Sequence, residues 1–252
     1  MEVSIQLFLQ EKMPMAGHNK WSQIKHKKAK EDSKRGQAFT KLIKEITVSA
    51  RRGGGDPAHN PHLRQLLEKG KEINMPIDNA QRAIKRGTGE IPGVSYEEFT
   101  YEGYGPGGIA IIVETLSDNK NRTVASLRHL FSKHGGNLGD TGSVNWMFEQ
   151  LGVINATHPT ITEDTLLEAL LDFNIKDIRV DKNWFTVICE SKSIEQVKDI
   201  MKKAGMHIEN SGLEWVPKNT MSLESSQEEK ALELLSALQD DDDVKNVYTN
   251  LA

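Results

Sequence analysis

The chain has 252 residues, of which 37% are hydrophobic and 27% charged, and it contains a single cysteine, Cys189. This length is typical of two or three domains and allows a hydrophobic core to form without disulfides or structural metal. One cysteine argues against a disulfide scaffold and a CxxC zinc or redox motif, and no segment approaches the ~20 apolar residues of a membrane span. The composition therefore predicts a cytoplasmic protein in a reducing compartment.

The net charge of −4 hides an uneven distribution along the chain. Residues 16–90 contain 17 Lys and Arg against 8 Asp and Glu, whereas the rest of the chain contains 15 against 28. A basic segment attached to an acidic body indicates a polyanionic partner.

Residues 1–14 precede a second methionine, Met15. They include an apolar patch but have neither the basic region nor the small-residue cleavage site of a targeting peptide. We expect residues 1–14 to be a disordered extension, or Met15 to be the native start.

Hydrophobic periodicity predicts three helices between residues 15 and 90, which should pack as a small bundle. Phe39, Leu42, Ile43 and Ile46 share one helical face, and the glycines at 53–55 end that helix. A second helix begins at Asn60-Pro61, and a third begins at Pro76 and ends with Gly87 as a candidate C-cap.

Beyond a Gly- and Pro-containing linker at residues 87–93, strands and helices alternate. The predicted strands cover residues 109–115, 143–148, 151–155, 177–180, 184–189, 207–216 and 244–249. The predicted helices cover residues 121–134, 163–173, 193–204 and 225–238. Residues 181–183 indicate an antiparallel hairpin, so split βαβ units of the ferredoxin-like kind fit better than a purely parallel sheet. The predicted fold class is α+β.

A basic segment follows Met15 and includes two side chains suited to stacking. Phosphate contacts need cations on flexible or helical stems, and the rings of Trp21 and His26 are candidates to stack on exposed bases. The alternative is a solvated helix surface with Trp21 buried. We favour nucleic-acid contact because the charge bias is regional and large. The predicted contact residues are Lys20, Trp21, Lys25, His26, Lys27, Lys28, Lys30, Lys34, Arg35, Lys41, Lys44, Arg51 and Arg52.

A second basic cluster, Arg82, Lys85 and Arg86, lies at the end of the third predicted helix. It either extends the nucleic-acid surface or complements the helix dipole, which favours cations there. Both interpretations remain open.

The glycine-rich residues 101–108 are not a phosphate loop, because no GK[ST] follows and the run precedes a strand. We interpret them as a turn.

No catalytic constellation is evident. None of the eight histidines has HxxxH or HExxH spacing, and Ser126, Ser143 and Cys189 have no evident triad partners. The acidic run 240–243 lacks the alternating ligands and glycine of a calcium loop, so we interpret it as a solvated turn. We expect no enzymatic activity, no metal and no cofactor.

Four strings carry a resemblance to a known family. They are MAGHNKWSQIKHKKAKEDSKRGQAFTKLIKEI from Met15, GGGDPAHNPHLRQLLEKGKEINMPIDNAQRAIKRGTG, YEGYGPGG and ETLSDNKNRTVASLRHLFSKHGGNLGDTGSVNWMF. On these strings the chain closely resembles the YebC/PmpR family over residues 15–252. That family also includes the mitochondrial translational activator of cytochrome oxidase subunit I.

The resemblance implies three domains: an N-terminal helical bundle followed by two ferredoxin-like α/β domains, the third inserted in the second. The implied boundaries are residues 15–90 for the basic helical domain, 93–148 with 218–252 for the second domain, and 149–217 for the inserted one.

The resemblance also implies a non-enzymatic regulator of gene expression, for which three hypotheses stay open. Most family members are described as cytoplasmic DNA-binding transcriptional regulators, and others resemble ribosome-associated translation factors. The second predicted helix carries few base-reading residues on one face, which favours RNA or ribosome contact and a translation factor that assists elongation. The description of most family members favours DNA, and a DNA-binding transcriptional regulator is the function we expect first. A third hypothesis is a protein–protein adaptor with a basic docking head. We expect a nucleic-acid partner, no membrane and no small-molecule substrate.

Overall fold

The computed structural model describes Trp21 and residues 35–252, with side chains from Gly36 onward. The expectations for residues 1–14 and for most of the basic segment therefore lie outside the described residues.

From Arg35 onward, the described chain forms seven α-helices and eight strands. They are α1 (Arg35–Gly53), α2 (Pro61–Glu72), α3 (Ile77–Thr88), β1 (Glu97–Tyr104), β2 (Ala110–Ser117), α4 (Lys120–Lys133), β3 (Asn137–Leu138), β4 (Phe148–Thr157), α5 (Glu163–Ala169), β5 (Ile175–Asp181), β6 (Trp184–Cys189), α6 (Ile194–Lys203), β7 (His207–Pro217), α7 (Ser225–Asp240) and β8 (Val244–Thr249). The predicted mixture of helices and antiparallel strands is confirmed. None of the described helices is long and apolar enough to cross a membrane.

Helices α1, α2 and α3 share a small apolar core, and each presents one hydrophobic stripe to it. Leu42, Ile46, Leu63, Leu66 and Ala83 are buried there. The stripes place apolar residues three and four positions apart, as helical packing requires.

Asn60 fixes the start of α2. Its side-chain oxygen accepts the backbone N–H of Leu63 at 3.0 Å, and its amide nitrogen donates to the carbonyls of Ser49 and Gly54. Pro61 then occupies the first turn, where its missing N–H costs nothing.

The chain divides into two units by its contacts. The first comprises the described residues up to Asn145 with Asn219–Ala252, and the second comprises Trp146–Lys218. In the first, the antiparallel sheet has the order β3-β1-β2-β8. Ile111, Leu127, Phe131 and Leu234 belong to its core, which α4 and α7 share with the sheet.

The second unit follows the element order β4-α5-β5-β6-α6-β7, which is the β-α-β-β-α-β order of split βαβ folds. Its antiparallel sheet has the order β5-β6-β4-β7. The predicted hairpin joins β5 to β6, and Lys182 takes the left-handed conformation (φ 56°) that this turn requires.

The structure corrects the prediction of a strand over residues 143–148. Residues 145–147 form a 3₁₀ turn, and a single strand, β4, runs from Phe148 to Thr157. The reason is Glu102, whose buried carboxylate accepts the backbone N–H groups of Gly142, Val144 and Asn145 at 2.7–2.8 Å. Those N–H groups are consequently not available to a strand ladder.

Three other elements also differ from the prediction. Strand β1 was not predicted. It includes residues 101–104, which were interpreted as part of a turn, and the observed turn is confined to residues 105–109. Helix α5 ends at Ala169 rather than at residue 173. Gly87 lies inside α3, and the left-handed C-cap is Gly89 (φ 83°).

Candidate nucleic-acid interface

Seven of the predicted contact residues lie outside the described residues. They are Lys20, Lys25, His26, Lys27, Lys28, Lys30 and Lys34. For Arg35 the structure describes only the backbone, which begins α1.

The structure places Trp21 in a core rather than at a surface. The side chain is 3% exposed, belongs to the core that α4 and α7 share with the first sheet, and donates from Nε1 to the Val247 carbonyl at 3.3 Å. A ring buried on both faces cannot stack on a base, so the predicted base contact is wrong in this conformation. The alternative, a buried Trp21, is the arrangement observed.

Lys44 is also turned inward. Its ammonium group is 2.6 Å from Asp243 Oδ1 and 2.9 Å from the Asp242 carbonyl, and the residue is 7% exposed. A buried, paired lysine does not reach a phosphate, so this predicted contact is corrected.

Asp243 corrects the interpretation of the acidic run as a solvated turn, because it is 6% exposed. Arg122 Nη2 and Thr123 Oγ1 each lie 2.9 Å from Asp243 Oδ2, opposite the oxygen that pairs with Lys44. Burial alone would raise the pKa of Asp243, but the hydrogen bonds from Lys44, Arg122 and Thr123 outweigh it and lower the pKa to about 2.

Lys41 is half-buried beside the same acidic run. Its ammonium group donates to the Gln239 carbonyl at 2.5 Å. Burial lowers its pKa to about 8, against the opposing effect of the aspartates at 240–242. Lys41 thus holds α1 against the end of α7, and Lys44 holds it against the segment between α7 and β8.

Arg51 and Arg52 lie in the last turn of α1 and are exposed, but Arg51 contacts the segment before β1 and Arg52 contacts the start of that strand. Arg51 donates to Ser95 Oγ at 2.7 Å, and Arg52 lies 2.8 Å from a carboxylate oxygen of Glu98. Exposed pairs of this kind are weak, so both guanidinium groups remain accessible to an anion.

Arg82, Lys85 and Arg86 all project from the solvent face of α3. Arg82 donates to the Asn79 side chain at 2.7 Å, and none of the three cations is within ion-pair distance of a described carboxylate. On the opposite face, Ala83 and Gly87 are buried. The helix therefore holds three exposed cations on a fixed scaffold.

Sequence reasoning did not single out Lys69 and Lys71, which are exposed in the last turn of α2. The regional charge count included them. Their neighbours Glu68 and Glu72 are exposed as well, so this end of α2 carries both signs of charge.

A cleft of about 270 Å³ lies between α1, the start of α2 and one end of the first sheet, and it contains charges of both signs. Glu98 lies between Arg52 at 2.8 Å and Lys245 at 3.6 Å. Burial and the nearby Lys245 lower the pKa of His62, which also lines the cleft. The cleft is lined by two carboxylates, Glu45 and Glu98, and two cations, Arg52 and Lys245, so these side chains give it no excess of positive charge.

Within residues 35–252 and Trp21, no group of three or more His, Cys, Asp or Glu side chains is arranged to hold a metal ion. Burial raises the pKa of Cys189 to about 11, so the thiol stays protonated.

The chain belongs to the TACO1/YebC family. Residues 19–90 match the N-terminal domain of TACO1/YebC proteins, and residues 96–251 match their second and third domains. The family resemblance of the sequence is thereby confirmed.

The relatives are named as regulators. A probable transcriptional regulatory protein of Chlorobaculum tepidum is 52% identical over 238 residues, which is 94% of this chain and 95% of that protein. Proteins with the same description from Syntrophus aciditrophicus and Persephonella marina are 52% and 51% identical, with the same shares of both chains covered. At the level of the family, the chain is a regulatory protein.

A solved structure shares the architecture. The crystal structure of a conserved hypothetical protein from Aquifex aeolicus aligns with a TM-score of 0.80 at 40% sequence identity, covering 89% of this chain and 93% of that one.

Proposed function

We propose that the chain is a non-enzymatic regulator that binds duplex DNA through the cations of its helical head, residues 15–90. The observation that carries the proposal is the solvent face of α3, where Arg82, Lys85 and Arg86 are exposed and form no ion pair with a described carboxylate. In the proposed arrangement, the two α/β domains are the acidic body to which the head is attached.

The geometry of α3 suits a phosphate backbone. Arg82 and Lys85 are three residues apart and Arg82 and Arg86 four, so the three cations lie on one side of the helix. Cations on a fixed helix bind phosphates without first having to be ordered, and each phosphate contact releases counterions. The names of the relatives favour DNA as the polyanion.

Two pairs of adjacent cations, each in the last turn of a different helix, allow a matched test. Lys85 and Arg86 lie in the last turn of α3, and Lys202 and Lys203 lie exposed in the last turn of α6. Changing each pair to glutamate alters the net charge of the chain by the same amount, and it replaces cations that interact favourably with the helix dipole by anions in both helices.

We expect Lys85→Glu with Arg86→Glu to weaken duplex binding at least tenfold, measured by fluorescence anisotropy at low salt. Lys202→Glu with Lys203→Glu should change it less than twofold. Equal losses in both variants would mean that binding follows net charge alone, and would contradict a site on α3.

Competition identifies the polyanion. Unlabelled duplex DNA should displace the labelled duplex better than structured RNA of equal length does. If RNA is the better competitor, the translation hypothesis replaces the transcriptional one, and the role proposed for α3 carries over to RNA.

A further inference from the structure

Helix α4 is an exception to the acidic composition of the α/β units. It contains four Lys and Arg residues and no Asp or Glu in 14 residues. The other three helices that follow the helical head, α5, α6 and α7, all contain acidic residues. The whole-chain charge count hides this helix, because the carboxylates around it outnumber its cations.

The cations of α4 border a solvent face of small side chains. Thr123, Leu127 and Phe131 are buried on the inner side. The middle of the outer side has Asn121, Ala125 and Ser132, and its margins have Arg128, His129 and Lys133. All six of these outer residues are exposed.

Arg128 and Lys133 have no ion pair with the part of the chain that the structure describes. No described carboxylate lies within ion-pair distance of either side chain. Arg122 differs, because it is engaged by Asp118 and Asp243 at 2.8 and 2.9 Å. The first turn of α4 therefore stabilises the structure, whereas its later turns present exposed cations that pair with no described carboxylate.

The chemistry of this face fits a sugar–phosphate backbone better than a protein surface. Protein interfaces are centred on buried aromatic or large apolar anchors, and the outer face of α4 has none. Small side chains in the centre let a backbone approach the helix closely, while the flanking cations and the Ser132 hydroxyl are the groups that bind phosphate oxygens.

We propose that the outer face of α4, formed by Arg128, His129 and Lys133 around Ala125 and Ser132, is a second phosphate-binding surface for the nucleic acid. The proposal rests on the proposed function, since it adds a contact to the same ligand. An acidic body repels a polyanion, and a cationic face on that body lets the strand continue beyond the head.

The test measures the binding of duplex DNA across a salt series by three proteins. They are the unmodified full chain, the α4 variant that combines Arg128→Glu with Lys133→Glu, and a matched control that combines Lys202→Glu with Lys203→Glu. Each lost phosphate contact reduces the slope of log K against log salt by about 0.9. We expect the α4 variant to lose about 1.8 from the slope and more than tenfold in affinity at low salt. The control should keep the slope of the unmodified chain.

The outcomes separate the two proposals. An unchanged slope in the α4 variant, with binding lost in the α3 variant, overturns the second surface and leaves the proposed function standing. Absence of duplex binding by the unmodified chain at low salt overturns both. If the glutamate variant unfolds, Arg128→Gln with Lys133→Gln removes the same two cations without adding charge, and an unchanged slope there is equally decisive.

Discussion

Asp243 joins α1 to the beginning of α4 through both of its carboxylate oxygens. Lys44 pairs with Oδ1, whereas Arg122, Thr123 and Ser117 donate to Oδ2 at 2.9–3.0 Å. A buried charge is tolerated only when it is paired and hydrogen-bonded, and here every partner is in place. The side chain thus attaches the helical head to the sheet at one point.

Asp243→Ala should destabilise the protein by about 3 kcal/mol, because it leaves the Lys44 ammonium group buried without its partner. The measurement is urea unfolding followed by circular dichroism. The control is Asp242→Ala, which removes an exposed carboxylate but keeps the backbone carbonyl that binds Lys44. Equal effects of the two substitutions would contradict a structural role for the buried pair.

Asp243 should also make stability depend on acid pH. Its pKa is about 2 in the folded chain and 3.8 in a free side chain, so its contribution is complete above pH 4 and is lost as the pH falls towards 2. The difference corresponds to about 2 kcal/mol. We expect the difference in unfolding free energy between the unmodified chain and Asp243→Asn to become smaller as the pH falls from 4 to 2. A difference that is constant with pH would refute the assignment.

Trp21 anchors the beginning of the basic segment in the core. Trp21→Ala should cost about 3–5 kcal/mol, the usual cost of truncating a large buried aromatic side chain. Trp146→Ala truncates a tryptophan that is 63% exposed and should cost much less. If Trp21→Ala instead lowered nucleic-acid affinity and left the melting temperature unchanged, the ring would be a base contact after all.

At the scale of elements, the contact between α1 and α3 depends on the absence of a side chain. A Cβ at Gly87 would clash with the Thr47 carbonyl oxygen and the Ala50 side chain. This close approach fixes α3, and with it the orientation of Lys85 and Arg86.

Gly87→Ala should therefore destabilise the protein by about 1–3 kcal/mol, the usual cost of overpacking. Gly36→Ala adds the same methyl group near the start of α1, where no atom of the described residues lies within 4 Å, and should be neutral or stabilise by up to about 1 kcal/mol. Thermal unfolding of both variants measures the difference. A neutral Gly87→Ala would contradict the tight packing.

The elements that the sequence predicted well are those with a single apolar stripe. Helices α1 to α3 bury residues at helical spacing, so their pattern alone located them. Strand β1 was missed because its three glutamates and its glycine do not follow the usual apolar alternation, and Glu102 is buried only because the loop at 142–145 binds its carboxylate. That partner lies 40 residues away, beyond the reach of any local pattern.

The same distinction between local patterns and distant partners applies to the candidate site. The charge bias of the head and the cations of α3 could be read from the sequence, because exposed charges need no distant partner. The burial of Lys44 and Trp21 could not, since their partners Asp243 and Val247 lie 199 and 226 residues further along the chain. Basic composition thus predicts a cationic region but not which of its cations are engaged inside the fold.

At the scale of the whole molecule, the chain combines a basic head with an acidic body, and its net charge of −4 conceals both. Because the chain as a whole is negatively charged, its binding to a nucleic acid must depend on Lys and Arg side chains that are clustered at one place on the surface. Salt is therefore the variable that distinguishes a specific cationic surface from weak, diffuse attraction.

The most direct test of this account is the equilibrium affinity of the full chain for duplex DNA across a salt series. If about six cations contact phosphates, log K falls against log salt with a slope near −5, from about −0.9 per phosphate. We expect that slope, together with a smaller one for Lys85→Glu with Arg86→Glu. A slope near zero, or no binding at low salt, would contradict a nucleic-acid-binding head.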